Sequence, residues 1–310
     1  MKVGATGLTR RFGDRVAVDG LSFEVAAGAL HGFLGPNGAG KTTTFHLLTG
    51  LLSPHAGEIR IDGAPASPTD PRARAKMGVV FQEPSLDGKL TGRENLVWGA
   101  ALHGVPKKVA LERMRPLVLL VELADRLGEP VEKWSGGMRR RLELVRVLLH
   151  EPSILVMDEP TRGLDPSSAA RIWGWIESLR RERGLTVLLT THDASEAERC
   201  DRLAILDGGK LVVSDSPAAL EARVGGDVVT IDADRPDDVV ATLREKLGKS
   251  ARVLDGQVVL EEPKGHEAIP RIVEAFEPGR LRSVGMRRPS LADVFVKLTG
   301  RALAPREDAS

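Results

Sequence analysis

Gly35-Pro36-Asn37-Gly38-Ala39-Gly40-Lys41-Thr42-Thr43 follows the pattern G-x-x-x-x-G-K-[ST]. Gly35, Gly38 and Gly40 let the backbone turn tightly with no Cβ in the way, so successive N–H groups can point inward at phosphate oxygens. The helix expected next adds the positive end of its dipole. Lys41 supplies a mobile cation for β- and γ-phosphates, and Thr42 a hydroxyl for Mg²⁺. Pro36, Asn37, Ala39 and Thr43 complete the same phosphate-binding loop. Upstream, Leu30-His31-Gly32-Phe33-Leu34 reads as a short buried strand, and downstream Thr43-Thr44-Phe45-His46-Leu47-Leu48 reads as helix. Strand, loop and helix in that order are the context the motif requires, and they place it in an α/β fold.

Farther along, Ile154-Leu155-Val156-Met157 is a continuous apolar run that ends in Asp158-Glu159-Pro160. It reads as a central parallel strand, buried on both faces, with two carboxylates at its C-terminal end, where doubly wound sheets bind ligands. Asp158 can hold the Mg²⁺ shell, and Glu159 can polarise an attacking water. Taken alone, an apolar run before Asp-Glu is common; beside a complete phosphate loop it points to chemistry.

Trp134-Ser135-Gly136-Gly137-Met138 opens a helical segment, residues 139–150, with Leu142, Val145, Leu148 and Leu149 at helical spacing. Ser135 is read as its N-cap. An ordinary capped helix with a solvated Arg139-Arg140-Arg141 run is the plain alternative. Against it stands the glycine pair, which opens a backbone anion site where any cap would otherwise suffice.

At this point the chain resembles the ATP-binding cassette (ABC) ATPases, over residues 1 to about 220. Besides the phosphate loop, the Ser135-Gly136-Gly137-Met138 signature and the Asp158-Glu159 strand end, Gln82 follows Val79-Val80-Phe81 in the place of the glutamine loop. Gly163-Leu164-Asp165 stands in the place of the D-loop, and His192 follows Val187-Leu188-Leu189-Thr190-Thr191 in the place of the switch histidine. Singly, Gln82 reads as a surface amide and His192 as a core histidine; the constellation reverses both readings. The resemblance implies that Phe12 stacks on adenine, that Gln82 touches Mg²⁺, and that His192 contacts the γ-phosphate. Asp165 joins the nucleotide-binding set, and Ser135, Gly136 and Gly137 bind the γ-phosphate held by the other subunit. The family's usual Tyr at position 12 is replaced by Phe, the Leu before the signature by Trp134, and a smaller residue by Arg162. None of these departures removes a phosphate-contacting group.

The resemblance also implies architecture: a cassette of residues 1–220 with a mixed sheet, an antiparallel β subdomain and a helical subdomain at about 84–150. Two chains would pair head-to-tail about a two-fold axis around two ATP molecules, and a separate transmembrane permease would be the second partner. Within the insertion, Thr91-Gly92-Arg93-Glu94 is a capping box ahead of Asn95-Leu96-Val97-Trp98. Phe81, Pro84, Leu86 and Leu90 either line the permease-receiving groove or pack an ordinary core.

Past Asp215-Ser216-Pro217 the pattern becomes strand 228–231, helix 237–247, strand 251–254, an Asp255-Gly256 turn, strand 257–260, helix 266–276 and strand 281–286. That β-α-β-β-α-β order predicts a small α+β ferredoxin-like domain at 221–300, closed by a helix from Ser290 to Gly300 and followed by a loose tail, 301–310. It resembles the accessory domain of drug-resistance ABC exporter ATPases, such as those for daunorubicin-like antibiotics; a structural extension or dimer brace is the plain alternative.

Composition narrows the partners. The 310 residues carry 44 basic and 43 acidic side chains, a net charge of +1, so no global field favours nucleic acid or an anionic membrane. The single cysteine, Cys200, excludes an intrachain disulfide and fits a reducing compartment. No apolar run approaches the roughly 18–20 residues that span a bilayer, and the start of the chain lacks a secretory pattern. The expectation is a cytoplasmic ATPase without direct membrane insertion, peripheral to the membrane through its permease and driving export with MgATP. A soluble ABC regulator is the alternative from another class. A P-loop kinase has no use for the signature.

Overall fold

The structure, a computed structural model, describes residues 1–67, 70–254, 256–301 and 303. Two long strands, β1 (Val3–Phe12) and β2 (Arg15–Val25), form an antiparallel hairpin, and β3 (Leu30–Leu34) follows with every residue buried. After the glycine loop, α1 (Lys41–Leu48) begins at the lysine itself, two residues earlier than the apolar pattern predicts. Strand β4 (Ala56–Ile61) then pairs antiparallel with β1, and the short β5 (Ala64–Pro65) with β4, giving an antiparallel sheet ordered β2-β1-β4-β5.

Helix α2 (Pro71–Ala75) leads into β6 (Met77–Val80), after which come α3 (Gly92–Leu102), α4 (Lys107–Leu120) and α5 (Gly136–Leu148). Both bonds of the expected capping box form: Thr91 Oγ1 accepts from the Glu94 N–H at 3.2 Å, and Glu94 Oε2 accepts from the Thr91 N–H at 2.8 Å. Trp134, the unusual residue before the glycine pair, is buried core. Its ring leaves no room for a side chain at Gly92, where an added Cβ would lie 2.6 Å away.

The chain continues through β7 (Ile154–Asp158), α6 (Pro166–Arg183), β8 (Thr186–Thr191), the single turn α7 (Ala194–Ala197), β9 (Arg202–Asp207) and β10 (Lys210–Asp215). Strands β6 to β10 and β3 build one six-stranded sheet, ordered β10-β9-β3-β8-β7-β6, whose β9-β3-β8-β7-β6 neighbours are parallel. Their apolar runs are continuous because both faces are covered. The C-terminal ends of β3, β6, β7 and β8 lead directly into Gly35, Phe81-Gln82, Glu159 and His192.

Met1–Ser214 forms one compact unit, and a second begins at Asp215. That is six residues before the predicted start of the second domain, because α8 (Pro217–Glu221) packs on the last helix of the second unit, α11 (Leu291–Thr299). Lys297 of α11 also donates to the Val224 carbonyl at 2.8 Å. Between them run β11 (Asp227–Asp232), α9 (Pro236–Leu247), β12 (Arg252–Leu254), β13 (Gln257–Glu262), α10 (Gly265–Glu274) and β14 (Ser283–Arg287). The sheet order β12-β13-β11-β14, antiparallel throughout, is the ferredoxin-like arrangement. Asp255 of the expected hairpin turn lies outside the described residues, as does nearly all of the tail. No helix among the described residues is long and apolar enough to cross a membrane.

Candidate active site

The glycine loop needs its glycines. A Cβ on Gly35 would lie 2.4 Å from the Leu206 carbonyl oxygen, and one on Gly40 would lie 2.6 Å from that of Ala17; Gly40 also holds φ at 99°. Only residues without a side chain let the loop run this close to its neighbours. The loop bends around Lys41, whose ammonium donates to the carbonyls of Gly35 at 2.6 Å and Pro36 at 3.0 Å. Burial lowers the Lys41 pKa, while the carboxylates of Glu159 and Asp158 work in the opposite direction. A buried cation at a glycine cradle, with a hydroxyl beside it at Thr42, is a donor set that fits a triphosphate and its Mg²⁺.

The cavity above the loop has a volume of about 310 Å³. Asn37, Gly38, Gly40, Lys41, Thr42 and Thr43 line its floor, and Phe12, Gln82 and Glu159 its walls. Phe12 is about half exposed, with the Arg10 guanidinium 5.0 Å from its ring centroid, so one ring face is available for stacking. Arg15, Ala17 and Arg162 also line the cavity. Sequence reasoning named none of these three as site residues. Arg15 follows Phe12 closely enough to suggest itself, whereas Ala17 arrives through tertiary packing and Arg162 through the turn that follows β7.

Glu159 is the most constrained side chain of the site. It stands one residue beyond β7 with φ at 45°, in the left-handed region that residues with a Cβ rarely adopt. Its N–H is held by the Thr190 carbonyl at 3.1 Å and the Thr190 hydroxyl at 3.2 Å. One carboxylate oxygen accepts from Arg162 at 3.1 Å, and the other lies 2.8 Å from Nδ1 of His192. Burial opposes ionisation of Glu159, but His192, Lys41 and Arg162 outweigh it and keep its carboxyl below the ordinary range. The hydrogen bond to Glu159 raises the pKa of His192 in turn.

The remaining predicted residues lie off the cavity wall. Ala39 is buried beneath the loop, and Asp158 is buried with its carboxylate accepting from the Thr190 hydroxyl. His192 reaches the site through Glu159. Ser135 caps α5, its Oγ accepting from the Met138 N–H at 3.2 Å, and Asp165 caps α6 by accepting from the N–H groups of Ser167 and Ser168. Neither these caps nor Gly136 and Gly137 line the cavity of their own chain.

The ABC transporter family matches residues 18–162. A Nod factor export ATP-binding protein from Burkholderia lata is 41% identical over 299 residues, 95% of each chain. A daunorubicin resistance ATP-binding protein from Streptomyces coeruleorubidus is 38% identical over 307 residues, covering 95% of this chain and 94% of that one. Among solved structures, an ATP-binding subunit of an ABC transporter superposes with a TM-score of 0.66 at 27% identity, over 73% of this chain and 94% of its own. A dimeric ATP-binding cassette in a post-hydrolysis state, bound to ADP and Pi, gives 0.61 at 27% identity, over 69% and 98%. With a phosphate cradle, a carboxylate at the adjoining strand end and relatives matched over nearly their whole length, the chain belongs to the ABC transporter family, as an ATP-hydrolysing subunit of the export type.

Proposed function

We propose that two copies of this chain pair head-to-tail around two MgATP molecules and that their opening and closing drives a separate membrane permease. The observation that carries this reading is a division within one chain. Lys41, Thr42, Gln82 and Glu159 line one cavity, whereas Ser135, Gly136 and Gly137, a capped helix start suited to phosphate, stand away from it. A second copy related by a two-fold axis would bring its α5 N-terminus to the first copy's cavity. The dimeric cassette among the similar solved structures supports this arrangement.

Within each site, Lys41 and the loop N–H groups bind and orient the phosphates, and Phe12 stacks on the base. Thr42, Gln82 and Asp158 would hold Mg²⁺, which neutralises phosphate charge as the terminal phosphate leaves. Glu159, kept ionised, orients the attacking water or takes its proton, and His192 fixes the carboxylate and reaches toward the γ-phosphate. The chain works at the cytoplasmic face of the membrane, held there by the permease.

Mixing an inactive Lys41→Ala chain with an inactive Ser135→Arg chain tests the composite site. In the mixed dimer one site takes Lys41 from the second chain and Ser135 from the first, so ATP turnover should recover in part. Covalently linked mixed dimers that show neither turnover nor an occluded nucleotide would reject the composite site. Transport is tested by co-purification with a membrane protein; a chain recovered wholly from the soluble fraction of its native cells would speak against the permease.

A further inference from the structure

Arg140 lies five residues beyond Ser135 on α5, and its side chain is 5% exposed. All five of its N–H donors are committed. Nε donates to the Pro160 carbonyl at 2.8 Å, and Nη2 to the carbonyls of Asp158 at 3.2 Å and Glu159 at 3.3 Å. Nη1 donates to the Phe81 carbonyl and, at 2.9 Å, to Oε2 of Glu143. One guanidinium therefore joins α5 to the end of β7 and to the residue before Gln82. One turn on, the wholly buried Glu143 accepts from the N–H and the hydroxyl of Ser85 at 3.0 Å each, and Arg146 donates to the Ser85 carbonyl at 2.6 Å. The stretch that contains Gln82 is gripped at Phe81 and at Ser85 by a single face of α5.

Stability alone explains this cluster poorly. Burying a guanidinium and a carboxylate carries a desolvation cost that their mutual attraction need not repay. Leucines and valines fill the rest of the buried surface of α5 without that cost. What an apolar side chain cannot do is hold four converging carbonyls. Three of them belong to Asp158, Glu159 and Pro160 and so bracket the left-handed backbone of Glu159, a conformation that persists only where its surroundings over-determine it.

We propose that Arg140 is a positioning residue for Glu159: through these carbonyls it makes the pose of the carboxylate depend on α5, the helix that carries Ser135-Gly136-Gly137 at its start. The proposal rests on Glu159 orienting the attacking water. A displacement of about 1 Å in such a group costs on the order of 10²-fold in rate, so loosening the clamp is read in turnover rather than in binding.

The test compares Arg140→Met, Arg140→Lys, Glu159→Gln and the double variant Arg140→Lys/Glu159→Gln by single-turnover hydrolysis, steady-state kinetics and binding of a fluorescent ATP analogue. Arg140→Met should lower kcat by about 10- to 100-fold while KM and the binding constant move less than about threefold. Arg140→Lys keeps a cation for Glu143 but replaces the planar fork with a single ammonium, so it should fold and still lose kcat; it carries the test if Arg140→Met does not fold. In the Glu159→Gln background Arg140→Lys should cost nothing further, because groups that act as a unit are not additive. Wild-type kcat in Arg140→Lys, or a loss that multiplies with that of Glu159→Gln, overturns the proposal. If Glu159→Gln alone turns over at the wild-type rate, the reading of Glu159 fails and the proposal with it; an inactive Glu159→Gln beside a fully active Arg140→Lys overturns the proposal alone.

Discussion

His192 Nδ1 lies 2.8 Å from Glu159 Oε1, and this contact favours the charged form of both groups. The pKa of His192 is raised above its ordinary 6.5, so its protonation contributes stability that is complete below about pH 6.5 and is lost as pH rises through the folded value. The pKa of Glu159 is lowered from 4.5, so its ionisation contributes stability above that value that is lost as pH falls through the folded one. The imidazolium–carboxylate pair therefore spans a pH range wider than 4.5 to 6.5 at both ends. NMR titration of the His192 ring in the nucleotide-free protein should give a midpoint above 6.5 that falls in Glu159→Gln. A midpoint at or below 6.5 in the unaltered protein would show that the pair does not form in solution.

Gly40→Ala should damage folding and nucleotide binding together. The new Cβ meets the Ala17 carbonyl oxygen at 2.6 Å, and the residue must hold φ at 99°. A strained position of this kind costs about 1–3 kcal/mol, so denaturant unfolding should show a loss in that range for the first unit. Unchanged stability with full ATP affinity would mean that the loop does not pass this close to β2.

Lys41→Ala removes the cation from a cradle lined with N–H dipoles. Affinity for MgATP should fall and turnover should disappear while the fold survives, because charge-assisted bonds to phosphate are roughly twice as strong as neutral ones. Equilibrium binding of a fluorescent ATP analogue separates the two losses. Wild-type turnover would remove Lys41 from the site.

The second unit has its own test at Asp293, which is wholly buried. Its carboxylate pairs with Arg287, with one contact at 2.8 Å, and closes a capping box with Ser290 at the start of α11. Asp293→Ala leaves the cap, Ser290, in place but removes the carboxylate that accepts from its N–H, and it leaves the partly exposed guanidinium of Arg287 without its partner. A combined loss of about 1–2 kcal/mol should appear in unfolding of the second unit with ATP binding unchanged. Loss of ATP binding by the folded variant would contradict the separateness of the two units.

The sequence displayed what depends on neighbours in the chain. Gly35 to Thr43 spelled out the loop, Thr91 and Glu94 the start of α3, Ser135 the cap of α5, and Ile154 to Met157 a strand covered on both faces; all are local signals of side-chain type at fixed spacing. What depends on distant segments stayed hidden. Arg140 reads as one of three solvated arginines, yet it is buried because carbonyls some 20 and 59 residues away converge on it. The hint lay in Arg140 and Glu143, one turn apart and flanked by the apolar Leu142, Leu144, Val145 and Val147. Arg162 gave no sign that it would reach Glu159, since a turn after a strand can aim its side chain in many directions. The second unit begins at Asp215, ahead of the expected 221, because α8 packs on α11, about seventy residues downstream, a contact that no local pattern announces.

The most direct test of the central claim is the rate of ATP hydrolysis by Glu159→Gln at saturating MgATP, with ATP binding measured on the same sample. The amide keeps the size of the side chain and its contact with His192 but cannot accept a proton from water. Binding should be retained and hydrolysis should drop by about 10²- to 10⁴-fold, the range of general-base contributions. Hydrolysis at the wild-type rate would show that Glu159 is not the carboxylate on which the chemistry turns.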